Sequence, residues 1–136
     1  MPASLRCAAY VYGTMIFLSL GWIKDAFSAR PQESDSVVVK MTSEHTFMPA
    51  KLTIKAGQTV EWINDEAGGI HQVTDDPDAA TDPSDVSIPE GAQPFDSHLI
   101  KSGKSFRQQF TVPGNYQYVC PPHEMSGMIG NLTVTK

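Results

Sequence analysis

Near the end of the chain three side chains that bind soft metals lie close together. They are the thiol of Cys120, the imidazole of His123 and the thioether of Met128, within Cys120-Pro121-Pro122-His123-Glu124-Met125-Ser126-Gly127-Met128. Thiolate, imidazole and a weak axial thioether are the ligand types of a mononuclear blue-copper site. Such a site needs a second imidazole, and His45, His71 and His98 are the histidines left to supply it. His71 is the best placed, directly after the Gly68-Gly69 turn and inside a strand-like run. Met125 is flexible enough to compete with Met128 for the axial position.

The intervening residues suit the same chemistry. Pro121 and Pro122 fix φ and remove two amide donors, which stiffens the path to His123 and limits hydrogen bonding to the sulfur. Fewer such bonds lower the reduction potential. Gly127 lets the backbone turn back so that Met128 approaches from one pole. Four protein donors leave no open position for a substrate, which points to electron transfer rather than catalysis.

The elements that must hold this loop read as short strands. Lys51–Lys55 and Thr59–Ile63 alternate polar and apolar residues, the period of half-buried strands. Val37–Met41 precedes them, with a corner at Phe47-Met48-Pro49. Asn64–Gly69 is a loop by composition, and Ile70–Val73 is a short strand. Residues 74–94 carry four prolines and six acids with no Lys or Arg, a long surface excursion and not a second domain. Phe95–Ile100 returns to the sheet edge. Phe106, Gln108, Phe110 and Val112 mark alternate positions of a strand, and Tyr116, Tyr118 and Cys120 share one face of the next. Ile129–Thr135 closes the domain. Trp62, Phe106, Phe110 and Tyr118 are core candidates, while His45 and His98 read as ordinary exposed histidines. Short strands with closely spaced turns predict an all-β, Greek-key antiparallel β-sandwich.

The chain has 136 residues and a formal net charge of −5, which fits one domain and argues against a nucleic-acid surface. Residues 1–28 look like a secretory signal: Arg6, an apolar run from Ala8 to Ile23, then Ala26-Phe27-Ser28 at a cleavage position. An uncleaved N-terminal anchor is the alternative. Residues 29–36 read as a flexible leader, and 37–136 as the folded domain. Removal of the signal removes Cys7, leaving Cys120 as a lone thiol. A lone thiol outside the cytosol oxidises unless something such as a metal occupies it.

The stretch Tyr116–Met128 resembles the C-terminal signature of the plastocyanin and pseudoazurin branch of the cupredoxins, with His three and Met eight residues after Cys. The Val60-Glu61-Trp62-Ile63-Asn64 strand and loop leading to His71 resembles the upstream half of that signature. The resemblance spans residues 37–136. It implies a cupredoxin sandwich holding one type 1 copper ion, with His71, Cys120 and His123 equatorial and Met128 axial. It also implies that the Gln72 amide donates to the Cys120 sulfur. The implied function is one-electron transfer by Cu(I)/Cu(II) cycling in a periplasmic or otherwise extracytoplasmic monomer. Redox partners, such as a cytochrome or an oxidoreductase, would dock transiently near His123, inside an apolar collar of Gly69, Ile70, Pro122 and Met125. Contact with a membrane follows only if the signal stays uncleaved. The acidic excursion is a solvated loop, or else a steering surface for a basic partner. Two departures stand out: Pro121 replaces a polar residue that often follows the Cys, and the 74–94 segment is longer than expected. The competing reading is a periplasmic copper carrier or buffer with no electron-transfer role. An enzyme would need a second copper centre, for which the four histidines are too few.

Overall fold

A computed structural model describes residues 36–136 of the chain. The expected signal segment 1–28 and most of the leader lie outside the described residues. The fold begins with β1 (Val37–Met41), which turns through residues 42–46 into β2 (Phe47–Met48). β3 (Lys51–Lys55) and β4 (Thr59–Asn64) follow, joined by a turn at Ala56-Gly57-Gln58. Then come β5 (Ile70–His71), β6 (Ile100–Lys101), β7 (Ser105–Gln109), β8 (Gly114–Val119) and β9 (Ile129–Thr135).

The strands form one sheet in the order β2-β1-β4-β7, a second in the order β3-β9-β8, and a small third of β5 and β6. The expected all-β sandwich is present, and its pairing is mixed. β1 runs parallel to β4 and β3 parallel to β9, while the other strand pairs run antiparallel. The parallel pairs arise because the chain changes sheet between β2 and β3 and again between β3 and β4. Strands that are near in sequence therefore end up in opposite layers.

Alternation sets which side chains meet between the layers. Val60 and Trp62 of β4 face inward, as do Tyr116 and Tyr118 of β8 and Leu132 and Val134 of β9. Trp62 is the centre of the packing. Its ring lies 5.3 Å from Tyr118, 5.5 Å from Phe95 and 6.1 Å from both Phe106 and Phe110, within the range of favourable aromatic pairs. β7 ends at Gln109, sooner than the alternation predicted. Phe110 is still buried, because its backbone pairs with the turn before β4 through Gly57 and Gln58.

The 74–94 excursion is a long connection fastened at several points. Thr74 bridges both Asp96 and Val119, and Ser87 bridges Gln117, so the segment runs along the free edge of β8. A single 3-10 turn, Pro83–Asp85, interrupts it. Asp75 departs from the expected solvated acids, since it is buried with only 1% of its surface exposed. Its carboxylate accepts the Phe95 amide at 2.7 Å.

Candidate metal centre

Two elements deliver the donor atoms. β8 places Cys120 rigidly at its end, fully buried. Pro121 and Pro122 then open a 3-10 turn, Pro121–Ser126, where their lost amides are needed least. The His123 amide donates to the Cys120 carbonyl at 2.8 Å, which turns His123 back over the sulfur. Gly127 closes the turn with φ of 82°, a left-handed conformation that favours glycine. Met128 follows, fully buried, and its carbonyl accepts the Cys120 amide at 3.1 Å. Both ends of the loop are thus tied together. Met125, the alternative thioether, is 97% exposed.

β5 delivers the second imidazole. His71 is fully buried and pairs in register with Ile100 of β6. The Asn64 side chain fixes the loop before it, donating to the carbonyls of Gly69 at 3.0 Å and Ile100 at 2.8 Å. The next residue, Gln72, donates its amide to the Cys120 sulfur at 3.4 Å, as the resemblance implied. Its side chain is locked in turn to Asp96 at 2.7 Å.

The three strongest donor atoms converge. The sulfur of Cys120 lies 3.7 Å from Nδ1 of His71 and 3.5 Å from Nδ1 of His123. All three lie within 4.8 Å of one another, and they form the one such cluster of His, Cys, Asp and Glu among the described residues. A d-block ion bonded at about 2.0 Å to imidazole and about 2.3 Å to thiolate sets nitrogen–sulfur separations of roughly 3.5–3.7 Å. The donors therefore stand at separations that fit a single ion, and their softness suits copper. Burial raises the pKa of the Cys120 thiol, opposed by the amides of Gln72 and His123. Burial also lowers those of His71 and His123, partly offset at His71 by Glu66. Without metal the site thus favours neutral imidazoles, ready to coordinate, and a protonated thiol.

Three further residues belong to this neighbourhood: His45, which the sequence offered only as a rival to His71, and Glu66 and Glu124, which it did not single out. His45 is half-buried, with its ring stacked on His123 at a centroid distance of 3.8 Å and an angle of 11°. It is not the ordinary exposed histidine that its position by a strand corner predicted. The turn after β1 holds it at a left-handed φ of 54°. His98 is exposed, as expected, and pairs with Asp96 at 3.1 Å. Glu66 stands 2.9 Å from Nε2 of His71. Glu124, inside the ligand loop, is only 5% exposed and accepts the amides of Thr81 and Asp82, each at 2.8 Å. Position alone could have drawn attention to Glu124, an acid beside the candidate ligand His123. His45 and Glu66 reach the site through turns whose paths the sequence does not specify.

Residues 34–135 match the family described as copper binding proteins, plastocyanin/azurin family. The chloroplastic plastocyanin of Chlamydomonas reinhardtii is 38% identical over 135 residues, covering 97% of this chain and 87% of that protein. The plastocyanin of Scenedesmus fuscus is 35% identical over 105 residues, covering 72% of this chain and 98% of that one. Among solved structures, the copper-containing nitrite reductase of Thermus scotoductus superposes with a TM-score of 0.58 at 27% identity. That match covers 82% of this chain but only 25% of the reductase.

Proposed function

The chain belongs to the plastocyanin/azurin family of copper-binding proteins, and we propose that His71, Cys120, His123 and Met128 hold its copper ion. The protein is a blue copper electron carrier with one type 1 copper. Bound copper supplies the chemistry, taking up one electron as Cu(II) becomes Cu(I) and giving it back. The chain's own residues do the rest. The Cys120 thiolate and Met128 thioether favour the reduced ion, the imidazoles of His71 and His123 favour the oxidised one, and the closed loop together with β5 holds all four at one compromise. The observation that carries the assignment is the approach of both Nδ1 atoms to the Cys120 sulfur at 3.5 and 3.7 Å.

The plastocyanin relatives are electron carriers, although the nitrite reductase shows that this fold also occurs within an enzyme. In our reading this chain is a carrier only, because the proposed ligands fill every position at the ion and the cluster is the sole one among the described residues. The domain is a monomer spanning 37–136, preceded by the leader and the signal, and it works outside the cytoplasm. Redox partners dock transiently where Ile70, Pro122 and Met125 expose apolar surface beside His123. A net charge of −5 favours a basic partner such as a cytochrome.

Copper titration tests the ligand assignment. Binding should saturate at about one Cu(II) per chain and release about one proton, from the Cys120 thiol, because bound thiolates are deprotonated. His71→Ala, His123→Ala and Cys120→Ser should each weaken binding more than His98→Ala. Equal affinity in His71→Ala and His98→Ala would refute the assignment.

A further inference from the structure

His71 has a carboxylate behind it. The Glu66 Oε2 atom lies 2.9 Å from Nε2 of His71, on the side of the ring opposite the Nδ1 that faces Cys120. Both atoms are closed off from solvent and neither is paired within hydrogen-bond geometry, so across 2.9 Å each faces the other as an ionic contact. A buried carboxylate oxygen and a buried ring nitrogen are each costly to leave unpaired, so a small rotation of ring or carboxylate that closes this contact into a hydrogen bond is favoured.

The surrounding loop is built to make this contact. The Asn64 side chain accepts the Glu66 amide at 3.0 Å through Oδ1, while its Nδ2 clamps the carbonyls of Gly69 and Ile100. Glu66 is thus fixed to the frame that fixes His71. The side chain then crosses directly over Gly69. A Cβ on Gly69 would collide with the Glu66 carboxyl group, so glycine at this position opens the path by which the carboxylate reaches the ring.

We propose that Glu66 is a positioning residue for His71 and an anionic tuner of the copper site. The inference rests on the reading of His71 as a copper ligand. By accepting the Nε2 proton, Glu66 holds the tautomer that leaves Nδ1 free to coordinate, and it fixes the plane of the ring. Its negative charge also acts on the metal. Cu(II) with the Cys120 thiolate carries a net charge of +1, which Glu66 brings to zero. The reduced site, neutral without Glu66, becomes an anion beside it. The carboxylate therefore favours the oxidised state and lowers the reduction potential.

The test uses the copper-loaded protein with Glu66→Gln and Glu66→Ala. Glutamine retains an oxygen acceptor for Nε2 but not the charge, and alanine retains neither. Both variants should stay blue. Cu(II) affinity, measured by chelator competition, should fall roughly 10- to 100-fold in Glu66→Ala, with Cu(I) affinity falling less. Every tenfold fall in the ratio of Cu(II) to Cu(I) affinity raises the potential by about 59 mV. Glu66→Gln should raise the potential while retaining the tautomer. In the metal-free protein, the nitrogen shifts of His71 should report the Nε2-protonated tautomer in wild type and Glu66→Gln, and a mixture in Glu66→Ala. Unchanged potentials in two blue variants would overturn the proposal. A wild-type protein that bound copper without turning blue would undo the ligand reading instead. The metal-free tautomer would then decide, loss in Glu66→Ala upholding the positioning role and retention ending it.

Discussion

Burial decides the charge state of Asp75. Its carboxyl is pushed up to about 7, first by loss of solvent and then by neighbouring Asp76, against the stabilising Phe95 amide. The folded chain keeps a proton that the unfolded chain loses near pH 4, so Asp75 disfavours the fold above pH 7, and this cost shrinks as the pH falls. Between pH 8 and pH 5 the relief amounts to roughly 2–3 kcal/mol. Asp75→Asn removes the titration and keeps an oxygen for the Phe95 amide. Denaturant unfolding of the two proteins at pH 5 and pH 8 should show wild type gaining on the variant at pH 5 by that amount. A constant difference would mean that Asp75 is ionised inside the fold. At this scale the sequence was least informative. Asp75 looks like its neighbours in an acidic run, and its burial follows from Thr74 pairing with Val119 and Asp96, long-range contacts that leave no local pattern.

At the level of elements, the ligand loop and the acidic excursion behave as one unit. The Glu124 carboxylate receives two backbone amides from the excursion, and the Thr81 hydroxyl donates to the Pro121 carbonyl at 3.2 Å. A charge-assisted bond of this kind contributes about 1.5–3 kcal/mol. Glu124→Ala should therefore speed hydrogen exchange at Thr81 and Asp82 by roughly 10- to 100-fold. Amides in β8 and β9 should be unchanged. Equal protection in the variant would mean that the excursion is held by its Ser87 and Thr74 bridges alone. The elements themselves were legible wherever alternation was strict, as in β3, β4, β8 and β9. β9 has the expected bounds. β5 was harder to delimit, because its two residues are defined by pairing with β6 and not by any run of their own.

For the whole molecule, the chemistry was readable before the topology. Cys120, His123 and Met128 sit on one capped turn, so their spacing in the chain is nearly their spacing in space. His71 arrives from another sheet, and residue spacing alone left it competing with His45 and His98. The parallel pairing of β1 with β4 and of β3 with β9 depends on sheet crossings that alternation does not encode. The imidazole of His45 over His123 depends on the path of the turn after β1, which alternation does not encode either. The donor atoms of His71, Cys120 and His123 meet within 4.8 Å of one another, the nearby side chains of Ile70 and Met125 are exposed, and Trp62 is fully buried in the core. In the proposed assignment, such an arrangement would keep the ligands rigid while an electron passes to a redox partner.

The most direct test of that account is the visible absorption spectrum of the protein with one equivalent of Cu(II), beside that of Cys120→Ser. Wild type should show an intense thiolate-to-copper band that vanishes on one-electron reduction and returns on reoxidation. Cys120→Ser should lack it. A colourless wild-type protein that still binds Cu(I) tightly, or a Cys120→Ser variant that stays blue, would contradict electron transfer at this site.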